Sequence, residues 1–163
     1  MTPSAGHTLI ELVIVAAILA IIGVVSVGLF LTSLSGGGKS ASINEVRANG
    51  DYAITQMERM IRGAVRLEGT CDVNVPTITI LNPDGGTTIF ATTAELAIAS
   101  NSGLLTSPEV EVVGVVDFDC QSSSSGSPGS VAIHFILQKA NTTSDRPEFS
   151  QAEFATQVQL RTY

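Results

Sequence analysis

From Leu12 to Gly38 the chain carries no charged residue, and between Leu12 and Leu31 the only polar side chain is that of Ser26. About twenty residues at roughly 1.5 Å of helical rise cover about 30 Å, the depth of a bilayer's hydrocarbon layer. The segment is therefore expected to form a helix able to cross a membrane. It is too long for the apolar region of a cleaved secretory signal, and its recognisable small residue, Gly6, lies in front of it rather than behind. It is thus expected to stay in the mature protein. A lone carboxylate, Glu11, stands at its N-terminal edge. A charge beside hydrocarbon is costly unless neutralised or paired, which makes Glu11 a functional candidate. The bland alternative is an interfacial charge that merely flanks the helix.

Beyond Gly38 the composition changes. All eight Lys and Arg and fourteen of the fifteen acids lie there, leaving about −6 on a stretch long enough for one independent core. An acidic domain with scattered cations argues against nucleic acid as a partner, because phosphate neutralisation needs clustered positive charge. Arg59, Arg62 and Arg66 do lie close together, but they alternate with an apolar helical face and read as a solvated surface. Gly38-Lys39-Ser40 lacks the upstream glycine and the preceding strand of a phosphate-binding loop. The two cysteines, Cys71 and Cys120, leave three readings open: a disulfide if the domain faces an oxidising space, two buried thiols, or half of a metal site. Closing so long a loop would stabilise by roughly 4 kcal/mol in the chain-entropy model.

Glycines at 36–38 are expected to end or loosen the first helix, each costing nearly 1 kcal/mol relative to alanine. Helical spacing resumes after Ser42, with Ile43, Val46, Ala53, Ile54, Met57, Met60, Ile61, Ala64 and Val65 forming one face. Glu45, Arg47, Asp51, Glu58, Arg59, Arg62 and Arg66 form the other. Gly69 is the expected C-cap. From Thr77 the period becomes two. Thr77–Leu81 and Thr87–Ala91 flank the turn Asn82-Pro83-Asp84-Gly85-Gly86 and read as a hairpin. Glu109–Asp119 alternates, with Val110, Val112, Val116, Phe118 and Cys120 on one face. Further strands are expected over Val131–Gln138 and Phe154–Arg161, separated by polar turns. The whole predicts an α+β protein, a long N-terminal helix packed on an antiparallel sheet. Its expected divisions are 1–6, a helix over 7–35, an amphipathic continuation over 36–68, and a sheet domain over 69–163.

Few residues suggest chemistry. His134 shares a strand face with Ala132 and Ile136 and reads as structural. Asp117 and Asp119 read as a solvated strand face, with calcium the minor alternative. No nucleophile comes with a His and Asp framework. No enzyme activity, cofactor or metal is expected.

The N-terminal residues Gly6-His7-Thr8-Leu9-Ile10-Glu11-Leu12, followed by the apolar run, resemble the processing motif of type IV prepilins and pseudopilins. In that family a membrane aspartyl peptidase, the prepilin peptidase, cuts after the glycine, and the new first residue is N-methylated. The resemblance implies cleavage between Gly6 and His7, methylation at His7, and a role in assembly for Glu11, paired with the N-terminal amine of a neighbouring subunit. Two positions depart from the pattern: the family usually has Phe where His7 stands, and its leaders usually carry Lys or Arg, which residues 1–6 lack. The later segments Arg47–Leu67, Leu105-Thr106-Ser107-Pro108 and Thr156–Arg161 are similar to parts of minor pilins and J-like minor pseudopilins. The implied partners are the peptidase, other pilin or pseudopilin subunits, the membrane and the inner-membrane assembly platform. The implied location is the inner membrane, with the C-terminal domain extracytoplasmic, and then the filament. The alternative is a single-pass anchored binding domain that is never processed.

Overall fold

A computed structural model describes residues 8–69, 72–101, 103–121 and 129–160. Helix α1 runs over Leu9–Gly63, 55 residues. The chain forms two compact units that divide between Gly38 and Lys39.

In the first unit every described side chain from Thr8 to Ser33 is exposed. Val15 is the best covered of the large apolar residues there and is still 50% exposed. The helix does not break at Gly36–Gly38, contrary to the glycine-based expectation. A helix already nucleated on both sides propagates through weak formers, whereas an interruption would create two more ends with unsatisfied backbone groups.

In the second unit α1 buries Val46, Gly50, Ala53, Met57 and Ile61, and Ala64, just past its end, is buried with them. The steps of three and four form one stripe. Gly50 belongs to that stripe for a steric reason: a Cβ built there would overlap the Cζ, Cε1 and Cε2 atoms of the Phe154 ring. Hydrogen lets the helix backbone lie directly on an aromatic face. The Phe154 ring is in turn stacked on Phe135, with centroids 5.3 Å apart.

The helix ends at Gly63, earlier than the expected cap at Gly69. Ala64 N–H donates to the Ile61 carbonyl, and Val65 N–H donates to the carbonyl of Leu81 at 2.8 Å. The sheet edge thus captures the chain before the helical pattern runs out. Arg66–Glu68 becomes strand β1, paired with Thr79–Leu81, and Val65 is exposed instead of joining the apolar face.

One sheet is an antiparallel meander of β1, β2 (Thr77–Leu81), β3 (Thr87–Thr92), β4 (Ile98–Ser100) and β5 (Gly103–Leu104). The β2–β3 hairpin closes through Asn82 N–H to the Gly86 carbonyl, with Gly85 at φ +83° in its turn. The other sheet contains β6 (Val110–Val112), β7 (Asp117–Gln121), β8 (Ser130–Lys139) and β9 (Gln151–Gln159). β9 pairs with nearly all of β8, while β6 and β7 pair with separate stretches of it. A strand has two edges, so β6 and β7 share the second one. One antiparallel sheet was expected, and two are present among the described residues. A bridge between Val75 and Phe118 and a single apolar cluster connect them.

The alternation read over Glu109–Asp119 is correct for burial but not for continuity. Val110, Val112, Val116, Phe118 and Cys120 are all buried. Between β6 and β7, however, four residues (Val113–Val116) stand opposite only Phe135 and Ile136 of β8. Two extra residues preserve the period of two, so the inward face continues across the break.

Polar contacts tie α1 to the sheets around this core. Lys139 Nζ on β8 meets Glu45 Oε2 of α1 at 2.7 Å and Glu109 Oε2 at 2.9 Å. Asn49 Oδ1 accepts from Ser107 N–H at 2.8 Å, and Thr156 Oγ1 donates to Glu58. The Lys139 side chain is only 19% exposed. Its hydrogen bonds to Glu45 and then to Glu109 raise its pKa above the ordinary 10.5, against the opposing pull of burial. A lysine whose folded pKa is raised stabilises fully below its unfolded pKa and loses that contribution as pH climbs through the folded value. Lys139→Met should therefore lower stability at pH 7 by about 1–2 kcal/mol, between the exposed and buried limits for ion pairs. The gap between variant and parent should narrow above pH ~10.5 in denaturant titrations. Equal midpoints at pH 7 would show that the pair contributes nothing.

Candidate processing and assembly site

The start of α1 is built by Thr8. Its carbonyl accepts from Leu12 N–H at 3.2 Å, the first hydrogen bond of the helix, and from Glu11 N–H at 3.1 Å. Its Oγ1 accepts from Glu11 N–H at 3.4 Å. Thr8 is thus the N-cap and Glu11 the third helical residue, the spacing of a capping box. In the sequence Thr8 stands out only as part of the motif Gly6 to Leu12. The overlooked signal was Thr-x-x-Glu immediately before an apolar run.

Glu11 is exposed in the first turn. There the unpaired N–H groups of the helix end favour a carboxylate. Beyond it, α1 offers a stretch long and apolar enough to cross a membrane, none of it buried. A carboxylate at the mouth of such a stretch can accept a cation in an apolar setting, and Leu9, Ile10 and Leu12 around it are all exposed.

Gly6 and His7, the expected cleavage and methylation residues, lie outside the described residues, as does Cys71. Cys120 is buried on β7, and its N–H donates to the carbonyl of Asp72 at 3.1 Å. His134 Nε2 lies 2.8 Å from Glu153 Oε1, and Asp119 Oδ1 accepts from Asn74 N–H at 2.6 Å. Neither residue takes part in a group of three or more metal-capable side chains among the described residues.

An exposed, membrane-length apolar helix with a capped start and a first-turn carboxylate, continuing into a domain where it packs on antiparallel sheets, is an α+β, pilin-like arrangement. Residues 1–30 match the family model of the prokaryotic N-terminal methylation motif. The match covers the N-terminal segment alone and supports a prepilin-like structural subunit similar to type IV pilins and pseudopilins. That motif implies processing by prepilin peptidase and assembly with other pilins and the membrane. No curated protein and no solved structure matches the chain.

Proposed function

We propose that the protein is a minor pilin or pseudopilin of a type IV filament system, serving secretion, DNA uptake, adhesion or motility. Cleavage falls between Gly6 and His7, and His7 is methylated on its new amine. Residues 1–6 are the leader and 7–35 the membrane and filament-core segment. The remainder, helical as far as Gly63, is the extracytoplasmic domain. Before assembly the subunit sits in the inner membrane by its single span, engaged by the peptidase and the assembly platform. The observation that carries this reading is the methylation-motif match over residues 1–30, which takes in the start and nearly all of the uncovered apolar stretch of α1.

The physical course follows from the helix surface. Lipid and the core of a filament are both dry and hydrocarbon-like, so the exposed apolar stretch passes from one to the other at little cost. Glu11 then meets the amine of a neighbour's His7. A wrong axial register would leave both charges unpaired in apolar surroundings, so the pair selects register more than it adds stability. The Cys71–Cys120 disulfide belongs to the same reading, because an extracytoplasmic domain meets an oxidising space. Two observations support it: the Cys120 N–H binds the backbone of Asp72, next to Cys71 in sequence, and no free cysteine is present among the described residues.

Intact mass of the membrane-extracted protein tests the proposal. Loss of six residues together with gain of one methyl group is expected, and Gly6→Val should keep the whole leader, since a side chain there obstructs the narrow extended backbone a protease grips. A parent protein that retains Met1, inserts stably and never assembles would favour an unprocessed anchored binding domain.

A further inference from the structure

We propose that Thr8 is a positioning residue for leader removal: by capping α1 it stops the helix short of the bond to be cut. The inference rests on the proposed cleavage between Gly6 and His7. Proteolysis requires an extended backbone at the scissile bond, because a helical peptide unit has its N–H and C=O engaged and its carbon shielded. Whatever sets the helix start therefore sets whether that bond can be presented. Here the start is set by Thr8, whose carbonyl takes the Glu11 and Leu12 N–H groups and whose hydroxyl takes the Glu11 N–H. An N-cap residue is itself non-helical, so the boundary falls between Thr8 and Leu9, two peptide bonds beyond the cut.

The sequence upstream makes this boundary consequential. Ser4 is the nearest preceding hydroxyl residue. A helix capped at Ser4 would have Ala5, Gly6 and His7 as its first turn, enclosing the scissile bond. Thr8 competes with that alternative through its hydroxyl, and losing an N-cap hydroxyl shifts such an equilibrium by about fivefold. Thr8 makes no contact with reacting atoms in this scheme. It acts through the helix register, which gives its variants a distinctive pattern.

The test follows leader loss by mass over time in membranes that contain a prepilin peptidase, using the full-length chain. Thr8→Val, nearly isosteric but without a hydroxyl, should be cut about fivefold more slowly than the parent. Thr8→Ser and Thr8→Asn, which differ in shape but both cap, should be cut at close to the parent rate. Adding Ser4→Ala to Thr8→Val should recover most of the rate by removing the upstream cap. Parent-like cutting of Thr8→Val would overturn the proposal. So would Thr8→Ser and Thr8→Asn as slow as Thr8→Val, since that pattern reports peptidase contact with the threonine side chain. Gly6→Val run alongside separates the two levels: if it keeps its leader, a negative Thr8 result sinks the capping role alone, whereas if it is cut normally the cleavage assignment itself falls.

Discussion

Gly50→Val should destabilise the folded domain by about 3 kcal/mol, at the upper end of what overpacking a core costs. A valine there gains roughly 0.5 kcal/mol of helix propensity over glycine. Against this stands a Cβ that would overlap the Phe154 ring. The ring cannot simply swing aside, because it is stacked on Phe135, which is itself almost wholly buried. The clash therefore wins. Gly50→Ala should also destabilise, by less, and Phe154→Leu should partly rescue it by removing the ring edge. Denaturant titration of the detergent-solubilised chain reads all four states. Costs of Gly50→Ala and Phe154→Leu that simply add would disprove the contact as cause, since residues in direct contact couple.

Glu11→Leu should leave membrane insertion intact and reduce filament incorporation by about a hundredfold. The estimate takes roughly 3 kcal/mol for leaving one charge of an apolar pair without its partner, here the neighbour's amine. Insertion is unaffected because leucine extends the apolar run. Glu11→Gln should incorporate better than Glu11→Leu, since an amide oxygen still accepts from the amine, yet worse than the parent. Fractionating membranes and sheared filaments gives both numbers. Incorporation of Glu11→Leu at parental levels would remove the assembly role.

The N-terminal motif was legible because its meaning is linear. A lone acid before an uninterrupted apolar run, with a glycine just ahead, is recognisable without knowing what surrounds it. The inward residues of the domain were legible for a related reason, as the periods of 3.6 and two survive local irregularity. Val116 and Phe118 were placed on the same face as Val112 although the strand between them is broken, because the break inserts an even number of residues. Gly50 does not stand out in the sequence. Its value depends on Phe154, a hundred positions away in sequence, and no local pattern carries that information. The clamp of Lys139 with Glu45 and Glu109 escaped notice for the same reason. Thr8 is the exception, since its capping signal was fully local and lay beneath a more conspicuous motif.

Hydrophobic patterning by itself determined the α+β class, the membrane-length helix, the β2–β3 hairpin and most of the inward faces, all consequences of solvent preference along a periodic backbone. Only the tertiary structure decided that α1 yields to β1 after Gly63 and that the strands divide into two sheets. Those outcomes depend on competition for backbone hydrogen bonds and on close approach between distant residues. A carbonyl at Leu81 that captures Val65, or a ring at Phe154 that admits only hydrogen at Gly50, exists for the chain only once it has folded.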